Sequence, residues 1–186
     1  MCSEVQNIHA VDFAERGIET YISCGFDNKL ADTKCVGCGQ CAAVCPTGAI
    51  VVKNEISKLW AAIYDSTKKV AVQVAPAVRV GIGEEFGMSA SQPVMGKIVT
   101  ALKMLGADYV FDTSLTADLT IMEESAEFMN KLKTGAKLPM FTSCCPGWIR
   151  FVKTQFPHMV KYLSTAKSPQ QMFGAVMKTY YAQKLG

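Results

Sequence analysis

Four of the chain's eight cysteines fall within eleven residues, in the run Cys35-Val36-Gly37-Cys38-Gly39-Gln40-Cys41-Ala42-Ala43-Val44-Cys45-Pro46. The spacing is C-x2-C-x2-C-x3-C-P. It lets three thiolates turn toward one centre, while Gly37, Gly39 and Ala42 let the backbone come close to the sulfurs. This is the bacterial pattern for holding 4Fe-4S clusters, in which the fourth cysteine of the run serves a second cluster. Zinc sites seldom carry four cysteines so spaced, and a disulfide framework would spread them through a small secreted domain. Cys35, Cys38 and Cys41 therefore need a remote fourth ligand, and Cys45 needs three partners from another motif. Cys2 stands where the last cysteine of a preceding motif of the same kind would be. Cys24 is the rival, with an incidental thiol as its plain reading, and Cys45 or Cys24 could complete a single cluster if Cys2 is not held.

A second cysteine pair lies in Thr142-Ser143-Cys144-Cys145-Pro146-Gly147-Trp148. Adjacent cysteines point in different directions, so one can bind metal while its neighbour faces a substrate cavity. The plain alternative is two buried thiols at a strand end.

The elements that must position these groups follow from periodicity. Apolar residues at helical spacing predict a helix over Glu55–Asp65. Val70–Val74 suits a buried parallel strand, Pro93–Leu105 a helix closed by Gly106, and Tyr109–Phe111 a strand. A helix over Ala117–Lys133 ends at Gly135, Pro139–Thr142 reads as a third strand, and Gly147–Phe156 is a helix stopped by Pro157. Ser168 and Pro169 open a last helix as cap and first residue. Ala49–Val52 is strand-like, and the chain changes character near Lys53-Asn54, so two domains are expected, 1–53 and 54–186. Strands alternating with helices imply an α/β fold with a parallel sheet, its chemistry collected in loops after the strands. Two loops qualify, Ala75-Pro76-Ala77 and Ser143–Pro146.

Composition narrows the function classes. The chain has 186 residues, 49% hydrophobic and 19% charged, which is globular. A net charge of +3 is too small to point to nucleic acid or an anionic membrane. No apolar run approaches the ~20 residues that span a bilayer, and Met1–Val5 has neither the basic nor the apolar region of a secretory signal. Clustered cysteines in a chain so begun favour a reducing, cytoplasmic compartment.

The motif Thr142–Trp148 resembles the first signature of the FeFe-hydrogenase (iron-only hydrogenase) active-site domain. Val74-Ala75-Pro76-Ala77-Val78-Arg79, Gly83–Gly87, Ala117–Glu124 and Ala166–Gly174 resemble the same family in the same order. The resemblance implies the N-terminal half of that catalytic domain preceded by a partial α+β ferredoxin-like domain. It implies 4Fe-4S clusters and the H-cluster, a 4Fe-4S cubane joined through one cysteine sulfur to a two-iron subsite carrying CO, cyanide and a dithiolate with a bridgehead amine. The activity implied is the interconversion of protons plus electrons with dihydrogen. Cys145 matches a cubane ligand, and Cys144 matches the cysteine that passes protons to the bridgehead amine. Glu124, Glu127 and Ser164 match the family's proton path. Ala75 and Pro76, with Pro169 and Gln170, match residues that wall the two-iron subsite. Where the family commonly has an arginine one turn beyond the second glutamate, this chain has Lys131.

The family's later signatures, Met-Pro-Cys followed by a lysine and a further cysteine pair, do not occur here, so a fragment inactive by itself is expected. The expected partners are a ferredoxin or similar electron carrier, the remainder of the hydrogenase domain and H-cluster maturation factors. Two other readings compete. Iron–sulfur assembly factors share the fold but typically lack the cysteine at position 144. A plain electron-transfer module would account only for residues 1–53. Trp148, Met122 and Met172 read as apolar packing.

Overall fold

The computed structural model describes residues 1–25, 28–89 and 92–185. They fall into two compact units: Met1–Lys53 with Lys137–Ser164, and Asn54–Ala136 with Thr165–Gly186. Among the described residues no helix is long and apolar enough to cross a membrane.

In the first unit, the N-terminal residues coil around Cys2, whose carbonyl accepts the Ile8 N–H at 3.0 Å. Ile8 and Ala10 are buried beside it. Strands β1 (Asp12–Ala14) and β2 (Tyr21–Ser23) pair antiparallel, with Phe13 opposite Ile22. Helix α1 (Gln40–Ala43) is a single turn inside the cysteine run. The later part of the unit is α6 (Pro146–Gln155) followed by a 3-10 turn over Pro157–Tyr162. Its core is aromatic. Phe141 meets Trp148 and Tyr162 edge-on, Trp148 stacks on Phe151, and Val152 is fully buried. Trp148 thus packs as expected.

Two expected strands do not form among the described residues. Pro139–Thr142 contributes only a parallel bridge between Phe141 and Leu163. The Phe141 N–H donates to Tyr162 O at 2.8 Å and Phe141 O accepts from Ser164 N–H at 2.7 Å. Pro139 has no N–H to extend the ladder. The run Ala49–Val52 is irregular, with Val51 and Val52 exposed; β-propensity without a partner strand to pack against does not make a strand.

The second unit is α/β. Strands β3 (Ala71–Val74) and β4 (Tyr109–Asp112) run parallel in register, Ala71 opposite Tyr109 and Val74 opposite Asp112. Helix α2 (Ile56–Ile63) precedes them, started by Asn54 Oδ1, which accepts the Ile56 N–H at 2.8 Å. The crossover holds α3 (Pro76–Glu85) and α4 (Met95–Met104). Helix α5 (Ser114–Thr134) follows β4 and ends at Gly135. Then come α7 (Pro169–Val176), a π turn over Met177–Tyr181, and α8 (Ala182–Leu185).

A carboxylate secures each end of the strand pair. Asp108 accepts the Val70 N–H at 2.7 Å and the Lys69 ammonium at 3.2 Å. Asp112 accepts the Ser114 N–H at 2.9 Å and pairs with Arg79. The Asp112 contact explains why α5 starts three residues before the expected Ala117: the carboxylate satisfies a free N–H of the first turn. The expected loop Ala75-Pro76-Ala77 is instead a strand-to-helix junction, because proline is preorganised for the first helical position. Phe173 is buried, its ring edge-on to Phe111. Met122, expected in the core, is 67% exposed on α5.

Phe173→Ala should cost about 3 kcal/mol, as a large-to-small change in a packed core, read as a lower urea midpoint. Acid should act on the carboxylates. The Lys68 ammonium draws Asp65 down to about 2. Asp108 is lowered first by the Val70 N–H and Asp112 first by the Ser114 N–H. A carboxyl whose folded pKa is depressed adds stability above its ordinary value of ~3.9 and loses it as pH falls further. Melting temperature should therefore hold from neutral pH to about 4 and fall below it, and Asp108→Asn should flatten that fall.

Candidate functional site

The first three cysteines of the run, with Cys2, frame one small cavity. Cys2, Cys35, Cys38 and Cys41 all line it, beside Ile8 and Gly39. Cys24 and Cys45 are not among its lining residues. Among the described residues no three Cys, His, Asp or Glu side chains gather closely enough to hold a single ion. A cubane takes one thiolate at each of four iron corners, so its ligands frame a space and do not meet at a point. The donor set is of the kind a 4Fe-4S cluster takes, and of the two remote candidates Cys2 is the one that lines the cavity.

Backbone N–H groups point at these sulfurs. Ala10 N–H donates to Cys2 Sγ at 3.3 Å, and Gly37 N–H donates to Cys35 Sγ at 3.3 Å. Gly37 has φ +72°, a conformation that a side chain would strain. Cys45 has its own set: the Ile50 N–H, the Thr47 hydroxyl at 3.6 Å and further N–H groups draw its thiol from 9.0 to about 7. Hydrogen bonds to the charged form favour the thiolate, which is the form that binds metal.

Cys145 sits at the start of α6. It caps that helix, its Sγ accepting the Trp148 N–H at 3.5 Å, with Pro146 in the first helical position. The positive end of the helix dipole favours a thiolate there. Cys144, one residue earlier, is exposed. The same unit holds an open cavity of about 820 Å3 lined by Cys35, Val36, Cys38, Cys145, Gly147 and Arg150, among others. Within one unit the structure thus brings Cys145 to the same space as two cysteines of the run. Ser164 also belongs to this unit and is buried, its N–H bonded to Phe141 O.

The remaining candidates lie in the second unit. Ala75 and Pro76 are the cap and first residue of α3, both exposed. Pro169 and Gln170 open α7, whose cap is reciprocal: Ser168 Oγ accepts the Gln171 N–H, and the Gln171 side chain accepts the Ser168 N–H, each at 3.3 Å. Glu124 and Glu127 are half-buried on α5. Glu127 Oε2 accepts the Thr165 N–H at 3.0 Å and lies 3.3 Å from its hydroxyl, while Oε1 pairs with Lys131 at 2.9 Å. Glu127 and Thr165 face a groove of about 630 Å3 that Lys167 and Met172 also line. Sequence reasoning passed over Thr165; its position next to Ser164 was the available signal.

Comparison with known proteins finds a matching family model over each cysteine motif. The family model "Iron only hydrogenase large subunit, C-terminal domain" matches residues 68–185, and "4Fe-4S binding domain" matches residues 32–51. The NADP-reducing hydrogenase subunit HndD of Solidesulfovibrio fructosivorans is 50% identical over 100% of this chain and 33% of its own length. Iron hydrogenase 1 of Clostridium pasteurianum is 42% identical over 97% of this chain and 31% of its own. A variant of the apo FeFe-hydrogenase HydA1 from Chlamydomonas reinhardtii superposes with a TM-score of 0.65 at 42% identity, covering 72% of this chain and 35% of that one. Protein NAR1 of Arabidopsis thaliana is more distant, at 33% identity. The chain spans about a third of the length of the two hydrogenase relatives, 33% and 31%.

The cavity assigns the two remote cysteines different behaviour. After anaerobic iron–sulfur reconstitution, Cys2→Ala should lower bound iron and the absorbance near the visible cluster band. Cys24→Ala should leave both unchanged.

Proposed function

We propose, for a chain that belongs to the iron-only hydrogenase large-subunit family, that it is the electron-supply and proton-supply part of a hydrogenase whose complete form interconverts protons plus electrons with dihydrogen. The observation that carries this reading is the cavity framed jointly by Cys35, Cys38 and Cys145. When bound, the iron–sulfur clusters supply one-electron redox chemistry and the H-cluster supplies the iron site at which dihydrogen is made or split.

The chain's own residues divide the remaining work. Cys2, Cys35, Cys38 and Cys41 bind one cubane through their sulfurs, and Cys45 binds a second one through a thiolate already favoured by its N–H neighbours. Cys145 anchors the H-cluster cubane from the positive end of α6. Cys144 holds a proton at Sγ and hands it on at the reacting centre. Glu127 holds a proton at the outer side, with Thr165 and Lys131 fixing its two oxygens. Glu124, on the same face of α5, and Ser164 match the further carriers of the family's proton path to the cysteine at position 144. Ala75, Pro76, Pro169 and Gln170 stand at two helix starts and match the residues that wall the family's two-iron subsite and exclude water from it. A ferredoxin-type carrier supplies the electrons, and maturation factors load the metal.

Retention of a cysteine at position 144 favours a catalytic member over an assembly factor of the same fold. The test is Cys144→Ala in the complete, matured enzyme. Turnover should fall by at least about 100-fold, the lower range for losing a positioned proton-transfer group, with the cluster spectra retained. Unchanged turnover would rule out the proton role of Cys144 and with it the catalytic reading.

A further inference from the structure

We infer that Arg150 is a positioning residue that clamps the loop leading into Cys35 onto the helix capped by Cys145. Arg150 lies in the second turn of α6, and its Nη2 donates both to the Ala31 carbonyl and, at 2.9 Å, to the Thr33 carbonyl. These acceptors are 119 and 117 residues away in the chain, so only the fold brings them together. Thr33 passes the constraint on. Its hydroxyl donates to Leu30 O at 2.7 Å and accepts the Cys35 N–H at 3.2 Å. One residue is therefore held through its carbonyl by α6 and through its hydroxyl by the first cysteine of the run. The next link is the Gly37 N–H on Cys35 Sγ.

A second contact on the same face of α6 completes the grip. Gly147 lies three residues before Arg150, and a Cβ placed on it would come within 3.1 Å of the Val36 carbonyl and 3.8 Å of Cys145 Sγ. The first turn of α6 thus rests directly on the cysteine loop because no side chain separates them. Arg150 draws residues 31–33 in, and Gly147 lets residue 36 approach. Charge-assisted hydrogen bonds of this kind are about twice as strong as neutral ones. The potential of an iron–sulfur cluster depends on hydrogen bonds to its sulfurs and on solvent exposure. Both are set by how firmly residues 31–37 are seated.

The inference rests on Cys35, Cys38 and Cys41 being cluster ligands, and the test separates the two claims. In the complete enzyme with its clusters loaded, iron content and the midpoint potential of each cubane are followed by spectroscopically monitored redox titration. Arg150→Ala should shift the potential of the cluster bound by Cys35 while leaving the other clusters in place. Arg150→Lys should restore it, because a single nitrogen makes both contacts and lysine offers one. Gly147→Ala, which removes no hydrogen bond, should shift the same potential by lifting the loop. Loss of iron in Arg150→Ala that Arg150→Lys restores supports the clamp equally. Potentials unmoved in Arg150→Ala and Gly147→Ala at full iron content would overturn it, as would a lysine variant that behaves like alanine. Absence of any cubane signal from the unsubstituted enzyme would overturn the functional reading itself.

Discussion

Positive partial charge beside a sulfur favours its thiolate form, and this chain sets backbone N–H groups against four of its cysteine sulfurs. Ala10 N–H faces Cys2, Gly37 N–H faces Cys35, Trp148 N–H faces Cys145, and a group of N–H donors around Thr47 and Ile50 faces Cys45. Each donor is free because it stands outside a regular ladder: in a turn, beside a left-handed glycine, or at a helix start. Much of the local architecture of the first unit follows from keeping those donors free. The coil around Cys2, the positive φ of Gly37 and the capping role of Cys145 are three ways of meeting the same requirement.

The second unit uses helix starts for another purpose. Pro76 and Pro169 each occupy the first helical position, as Pro146 does in the first unit. Proline there gives up a hydrogen bond that the helix could not have made and fixes the entering backbone. Each of these segments is one that the family resemblance marks for the H-cluster. A helix start fixed by proline holds the backbone beside it in one conformation. Glu127 shows the same economy of motion, with both carboxylate oxygens occupied by Thr165 and Lys131. Lys131, where the resemblance places an arginine, pairs with Glu127 as a point charge and not as a planar fork.

The cysteine spacing, the α/β alternation and most helices were legible in the sequence. The cluster motif is local: ligand geometry within eleven residues depends on the backbone of those residues. Helices α2, α4, α5 and α7 have periodic apolar faces and recognisable ends, such as Ser168-Pro169 and Gly135. Helix α3 was not legible, because Gly81 and Gly83 dilute its periodicity and Ala75-Pro76 reads equally as a turn. The strands expected at Pro139–Thr142 and Ala49–Val52 failed for the converse reason: a strand is made by its partner, and local propensity does not report one.

By itself, the order of residues determined which thiols could hold a cubane, which family the motifs resemble and where the helices stop. Only the tertiary structure decided that Cys2, and not Cys24, shares a cavity with Cys35, Cys38 and Cys41. Only it placed Cys145 beside the same loop and put the Arg150 guanidinium on Ala31 and Thr33. These relations join residues distant in the chain, in the case of Arg150 by 119 and 117 positions. They depend on how segments pack, and composition, spacing and periodicity, being properties of neighbouring residues, carry no term for it.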